Sequence, residues 1–264
     1  MPDQPLYDAL IVSIFKNHYR KGTKSFEFDR DEIEKVAASL KIRLPKNLGD
    51  VIYSFRYRKE LPEQITATAT GRATWVIEPA GRSRYRFRLA SSSRIVPRGD
   101  LMAIKIPDAT PEIIATYALT DEQSLLAKVR YNRLIDTFLG VTAYSLQNHL
   151  RTTVKTMGQI EIDEIYVAVN KNGQQFVVPV QAKGGNDRLA MIQTKQDLAC
   201  CAEKFPALTC RPISAQFMSD EEKTIAMFEL TLDKDEVKIV EERHYRLVPA
   251  DSITEAELRS YGSR

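Results

Sequence analysis

The sequence predicts an α/β protein in two parts: a basic N-terminal module of three helices and a hairpin, then a C-terminal α/β domain with a central mixed sheet. Apolar residues in the first 60 positions recur at helical spacing, whereas those after residue 158 form strand-like runs. The charges divide in the same way. Residues 1–100 hold 19 Lys and Arg against 12 Asp and Glu (+7), and residues 101–264 hold 19 against 23 (−4), which gives the net +3. We place the domains at 1–98 and 119–264, with a linker at 99–118.

Three amphipathic helices are predicted in the N-terminal module. The first spans residues 5–20, and the second starts at the capping-box-like segment 29–32 and runs to Leu40. The third starts near Asn47 and ends before Pro62. Its buried stripe is Leu48, Val51, Ile52 and Phe55, and Asp50, Tyr53, Ser54 and Tyr57 lie opposite.

A basic hairpin follows these helices, with strands at 73–78 and 84–89. In the second strand arginine alternates with Tyr, Phe or Leu, which places the arginines on one face. Three helices followed by such a hairpin is the order of a winged helix-turn-helix, whose third helix enters the major groove. Because a field of arginines attracts nucleic acid, we expect double-stranded DNA as the partner. The expected DNA-contacting residues are Tyr53, Arg56, Tyr57, Arg58, Lys59, Arg72, Arg82, Arg84, Arg86 and Arg88. The alternative is a helical domain with a charged surface.

The C-terminal part begins after a stretch rich in Ser, Pro and Asp at 91–112. Helices are predicted at about 121–139 and 142–151, and strands at 158–169 and 174–185, joined by the turn Asn-Lys-Asn-Gly. Two further strands are expected at 224–232 and 236–248, where they complete a sheet or form a dimer surface. The chain has no apolar run long enough to span a bilayer and does not begin with a secretory signal, so we expect a cytoplasmic protein.

The predicted hairpin at 158–185 gathers polar residues suited to metal chemistry. Glu161 and Asp163 share one strand face, and Gln181 and Lys183 share a face of the next strand, about 6.6 Å apart along it. We expect these groups to meet at one point. Hard cations such as Mg²⁺ prefer oxygen ligands, and a neighbouring lysine orients water and stabilises charge that develops on phosphate.

Asp163, followed after 18 residues by Gln181-Ala182-Lys183, resembles the signature of the PD-(D/E)XK nuclease superfamily. The resemblance covers about residues 120–220 and, with the front module, suits a type II restriction endonuclease. It implies that Asp163, Gln181 and the carbonyl of Ala182 bind Mg²⁺, for which Mn²⁺ can substitute, and that Lys183 assists the water. Glu161 matches an acid often found two residues before the aspartate. A helix at 187–204 follows, with Gln193 as an auxiliary polar residue.

The chain departs from this signature at two positions. Gln181 replaces the usual acid, so a carboxylate restored there is expected to keep or raise activity, and Pro179 lies inside the catalytic strand. Motifs of P-loop proteins, GxSxG hydrolases and zinc deaminases are absent from the sequence.

The resulting hypothesis is a type II restriction endonuclease that hydrolyses phosphodiester bonds of DNA at a specific sequence. A homodimer is expected if that sequence is palindromic. The alternatives are a structure-specific nuclease of DNA repair or recombination, and a DNA-binding regulator with an inactive nuclease fold. A further alternative is an ordinary hairpin with surface carboxylates and a solvated lysine.

Overall fold

The computed structural model describes residues 4–44, 48–71, 73–91, 94–184 and 189–262. The protein is α/β, with a large mixed sheet and a small antiparallel sheet. Its internal contacts divide it into two units. Unit 1 contains Met1–Arg94, Thr152–Ile160 and Ala190–Ile192, and unit 2 contains Ile95–Arg151, Glu161–Leu189 and Gln193–Arg264.

Unit 1 combines short helices with the antiparallel sheet, whose strand order is β1-β3-β2. Its elements are α1 (Gln4–His18), β1 (Ser25–Asp29), α2 (Asp31–Leu40), α3 (Gly49–Tyr53), a π-helical turn (Ser54–Arg58), α4 (Glu63–Thr66), β2 (Thr74–Pro79) and β3 (Arg84–Ala90). Apolar side chains of α1, α2 and α3 pack on the sheet around Phe15, Trp75 and Phe87, which are almost fully buried. These contacts form one apolar core for the unit.

The predicted helices and hairpin of unit 1 are present, with three differences. The predicted start of the third helix near Asn47 lies outside the described residues, and the helix is seen from Gly49. Its last turn is a π-helix, and Ser54, expected on the exposed side, is buried there. Two short elements of this unit, the strand β1 and the helix α4, were not predicted.

The large sheet has eight strands, in the order β4-β11-β10-β9-β7-β6-β5, with β8 paired to β7. Its strands are β4 (Ala103–Pro107), β5 (Thr142–Val154), β6 (Gly158–Val169), β7 (Gln175–Lys183), β8 (Thr209–Cys210), β9 (Ile213–Phe217), β10 (Ile225–Asp233) and β11 (Glu236–Val248). The accompanying helices are α5 (Glu112–Tyr117), α6 (Asp121–Tyr131), α7 (Leu134–Leu139), α8 (Met191–Lys204), a 3-10 turn (Ala250–Ser252) and α9 (Glu255–Tyr261). None of the described helices is both long enough and apolar enough to cross a membrane.

The strand β7 lies inside this sheet, antiparallel to β6 and parallel to β9, with α8 in the connection from β7 to β9. Val178, Val180 and Ala182 point into the core formed with α6 and α7. Pro179 pairs with Ile165 of β6. On its other side β7 pairs with β8 up to Val177 and with β9 only from Val180, so the missing N–H of Pro179 falls where that neighbouring edge is interrupted.

Two predictions in unit 2 are wrong. The linker proposed at 99–118 contains α5 and the strand β4, which pairs in parallel with β11. The helix proposed at 142–151 is the edge strand β5. Ala143, Leu146 and Leu150 have helical spacing, but tertiary pairing with β6 outweighs this local pattern. The predicted helix at 121–139 is interrupted at Arg133, whose φ of 50° separates α6 from α7.

Candidate active site

Asp163 lies beside the end of β7 that carries the Gln-Ala-Lys sequence. The paired register of β6 and β7 extends to Glu164 and Val180. Just beyond it, the backbone N–H of Ala182 donates to Oδ2 of Asp163 at 2.8 Å. The carboxylate of β6 therefore reaches across to the main chain of residue 182, so the two halves of the predicted signature adjoin.

The environment of Asp163 disfavours its ionised form. Burial raises its pKa above the ordinary value, and it outweighs the lowering by the charge of Lys183 and by the N–H of Ala182. The charge of Glu122 raises the pKa further. A carboxylate that has lost much of its water in this way gains from a nearby cation.

Lys183 forms an ion pair that the sequence did not reveal. Its Nζ lies 2.7 Å from Oε1 of Glu122, and the lysine side chain is only 18% exposed. Glu122 belongs to the first turn of α6, which Thr120 caps by accepting from the N–H of Gln123. Immediately after β7 the chain approaches α6 so closely that a Cβ at Gly184 would lie 2.3 Å from Cβ of Asp121. This close approach holds Lys183 against Glu122.

Gln181 lies on the opposite face of β7 from the α6–α7 core and is 1% exposed. Its Nε2 donates to Oδ1 of Asp197 at 2.9 Å and to the backbone carbonyl of Glu161 at 3.2 Å. Its Oε1 accepts from Nε2 of Gln193 at 3.2 Å. The predicted auxiliary residue, Gln193, therefore contacts the predicted second ligand directly.

Asp197 is a buried carboxyl group on α8 that the sequence analysis missed. Burial raises its pKa well above the ordinary value, and the hydrogen bond from Gln181 only partly opposes this shift. Gln193 and Asp197 are four residues apart and therefore share one face of α8. That spacing was the only signal in the sequence, and it did not indicate which strand residue the face would meet.

The structure does not bring the side chain of Glu161 to this cluster. Its carboxylate is 44% exposed and pairs with Arg151 at 3.3 Å and His149 at 3.7 Å, both on β5. Only its backbone carbonyl contacts Gln181. The prediction that Glu161 adds a carboxylate to the site is wrong, because β5 offers its side chain two basic partners.

The residues present fit a Mg²⁺ ion that keeps most of its water. Within the described ranges, no three His, Cys, Asp or Glu side chains cluster closely enough to hold a metal. However, Mg²⁺ is often bound by one or two carboxylates together with waters and substrate phosphates. Asp163 and Glu122 offer such carboxylates on either side of Lys183. The buried Oε1 of Gln193, next to Gln181, has no hydrogen-bond partner among the described residues and is an open acceptor.

Of the predicted DNA-contacting residues of the third helix, Tyr53 and Arg58 are exposed, whereas Nε and Nη2 of Arg56 are buried and have no hydrogen-bond partner among the described residues. The rings of Tyr53 and Tyr57 lie 4.7 Å apart, and Tyr53 is 47% exposed. The guanidinium of Arg58 lies 4.9 Å from the Tyr53 ring, and that of Arg56 lies 4.9 Å from the Tyr57 ring. Lys59 lies over Tyr7 instead, at 5.4 Å.

The arginines of the hairpin are paired with acids of their own unit. Arg84 and Arg86 contact Glu27 of β1, at 3.5 and 2.6 Å, and Arg88 contacts Glu78 of β2 at 2.8 Å. The strand β1 supplies Glu27, which is why sequence analysis overestimated the positive charge of this face. Of the other two arginines predicted to contact DNA, Arg82 lies exposed in the turn between β2 and β3, and Arg72 lies outside the described residues.

Comparison with known proteins gave no match to this chain among protein-family models, curated proteins or solved structures.

Proposed function

We propose that this protein is a Mg²⁺-dependent endonuclease of the PD-(D/E)XK superfamily, acting on double-stranded DNA as a type II restriction enzyme. The observation that carries the proposal is the junction of Asp163, Ala182 and Lys183, where the end of β7 lies beside the middle of β6. The order of the surrounding elements also supports it. A helix precedes a three-stranded meander, and α8 leads from β7 to a strand parallel to it.

Each group at the junction has a role in this proposal. Asp163, Glu122, the side-chain oxygen of Gln181 and the main-chain carbonyl of Ala182 would hold the ion. When bound there, Mg²⁺ would supply positive charge next to the scissile phosphate and help to activate the attacking water. Lys183 orients the attacking water and donates to the phosphate oxygen on which charge develops, and Glu122 positions its ammonium at 2.7 Å.

Unit 1 is proposed to bind the duplex as a winged helix-turn-helix. Its element order is helix, strand, three helices with a π-helical turn after the second of them, and a two-stranded hairpin, with a sheet ordered β1-β3-β2. The tyrosines and arginines at 53–58 would contact bases and phosphates. A palindromic target would be matched by a two-fold homodimer.

Digestion of a plasmid with and without Mg²⁺ tests this function. Discrete fragments that depend on Mg²⁺ are the expected result, and sequencing of the fragment ends gives the recognition site. A smear or nicks would favour a structure-specific repair nuclease instead. A gel shift without cleavage would favour a DNA-binding regulator, a candidate motivated by Gln181 in place of an acid.

Mn²⁺ in place of Mg²⁺ provides a second condition for the same digest. Because Mn²⁺ accepts the same oxygen ligands, cleavage is expected with either ion. The absence of cleavage with both ions would contradict the enzyme proposal.

A further inference from the structure

The amide of Gln181 can take only one orientation in its surroundings. Its Nε2 carries two hydrogens, and both are used, by Oδ1 of Asp197 and by the backbone carbonyl of Glu161. A flipped amide would place its oxygen against these two acceptors. It would also turn its NH₂ group toward the NH₂ group of Gln193.

Both acceptors favour this orientation, and Asp197 is the one whose side chain can be changed; it is 1% exposed and therefore has almost no water to replace a lost partner. A carboxylate lacks hydrogens on both oxygens, so a glutamate at position 181 would lose both donated hydrogen bonds. It would also place a second carboxyl group within hydrogen-bonding distance of Asp197, whose pKa burial already raises, so at neutral pH one of the two groups has to take up a proton.

We infer that Asp197 is a positioning residue: it holds the NH₂ group of Gln181 toward itself and so turns the side-chain oxygen of Gln181 away. This role explains why residue 181 is an amide. The inference rests on the proposed function in one respect, namely that this oxygen is a metal ligand. It revises the expectation from sequence that a glutamate at 181 would keep or raise activity. A glutamate has no hydrogen for either acceptor, and a donor at residue 197 restores one of the two hydrogen bonds.

The inference is tested by exchanging the chemical groups at the two positions, a carboxylate for the amide at 181 and an amide for the carboxylate at 197. The proteins compared are the wild type, Gln181→Glu, Asp197→Asn and the double variant Q181E/D197N. An asparagine at 197 can present its oxygen to Gln181 or its NH₂ to a glutamate, so Asp197→Asn is expected to be mild. Gln175→Glu, an exposed position at the start of β7, is the matched control for an added carboxylate.

The first measurement is thermal unfolding without metal. Gln181→Glu is expected to lower Tm by roughly 5 °C or more, whereas Asp197→Asn and Gln175→Glu are expected to change it by no more than about 2 °C. The double variant should regain part of the loss, because the carbonyl of Glu161 still lacks its donor. If Gln181→Glu does not fold at all, folding of the double variant becomes the deciding result. A Gln181→Glu protein as stable as the wild type, or a double variant no better than Gln181→Glu, would overturn the inference.

The second measurement is titration of each folded protein with Mg²⁺ in a calorimeter, without DNA. Asp197→Leu removes the acceptor but adds no charge, and it is expected to weaken Mg²⁺ binding roughly ten- to a hundredfold, as loss of a residue that orients a ligand does. The double variant should bind at least as tightly as the wild type. If the Tm pattern appears but none of the proteins binds Mg²⁺, the orientation stands and the proposed function fails. Unchanged Mg²⁺ affinity in a folded Asp197→Leu protein would overturn the positioning role.

Discussion

The basic hairpin of unit 1 carries its charges at the surface, whereas the end of β7 in unit 2 carries mostly buried charges. On the hairpin, Arg86 and Glu27 pair at the surface, with 39% and 38% of their side chains exposed. At the end of β7, Lys183 is mostly buried and Asp163 has a raised pKa in spite of that lysine. The hairpin has more charged residues per length of sequence. However, the group whose charge is disfavoured by burial, Asp163, lies in unit 2.

The difference shows that burial, more than charge count, marks a site prepared for a ligand. Exposed ion pairs are weak, so a phosphate can replace Glu27 as the partner of Arg86 at little cost. In contrast, Asp163 is buried away from most of its water. It keeps a hydrogen bond from the N–H of Ala182 and the nearby charge of Lys183. A cation bound there would recover interaction energy that the folded protein lacks.

The largest expected effect is that of removing the buried ammonium. Lys183→Ala should lower the rate of DNA cleavage by at least about 10²-fold, the cost of losing one group that stabilises the transition state. DNA affinity should remain within about threefold, because the contacts assigned to unit 1 are untouched. Cleavage rates under single-turnover conditions and gel shifts in Ca²⁺ measure the two quantities.

Lys171→Ala is the matched control, since Lys171 is exposed in the turn between β6 and β7. It should leave both quantities unchanged. A Lys183→Ala enzyme that still cuts at the wild-type rate would remove the lysine from the mechanism.

A smaller effect is expected on stability when the buried carboxylate is made neutral. The pKa of Asp163 is raised in the folded protein, so its ionisation costs stability: this cost is absent below the ordinary pKa and grows as the pH rises through the folded value. Asp163→Asn avoids the cost. Its Tm should equal that of the wild type near pH 3 and exceed it at pH 7 by roughly 2 to 4 °C, the shift produced by about 1 kcal/mol in a protein of this size.

Mg²⁺ should reverse this ranking at pH 7. An ion present at about 100 times its Kd stabilises the protein that binds it by about 2.7 kcal/mol. The wild type should gain this stabilisation and the Asp163→Asn protein should not. Equal gains in the two proteins would place the ion elsewhere.

The smallest expected effect concerns the hairpin. Glu27→Gln releases Arg86 from its partner, so the slope of log K against log salt for DNA binding should become steeper by up to about 0.9, the contribution of one phosphate contact. Glu34→Gln makes the same change of charge on the exposed side of α2 and should leave the slope unaltered. Equal slopes for Glu27→Gln and the wild type would place Arg86 away from the DNA.

Local patterns in the sequence predicted much of the fold. The hairpin of β6 and β7 follows from alternating residues and the Asn-Gly turn, and the hairpin of β2 and β3 from strict Arg-apolar alternation. The strands β4 and β5 were missed because their pairing partners, not their own periodicity, decide their conformation. In β5 the helical spacing of Ala143 and Leu146 pointed to the wrong element.

The site was predictable only within one hairpin. Asp163 and Lys183 belong to neighbouring strands, so spacing alone relates them. Glu122 is 61 residues before Lys183, and Asp197 approaches Gln181 from a helix. Nothing local encodes these two contacts, and the failed expectation for Glu161 has the same origin, since its partners lie on β5.

The parallel pairing of β4 with β11 limits how the chain can be shortened. The N–H of Lys105 donates to the hydroxyl of Tyr261, and its Nζ lies 2.7 Å from Glu257, so β4 is fastened to the C-terminal helix as well as to the sheet. A fragment starting at residue 119 would leave the backbone of β11 open along its parallel side. Such an uncovered edge invites association between molecules, so a fragment that carries the complete large sheet has to begin ahead of residue 103.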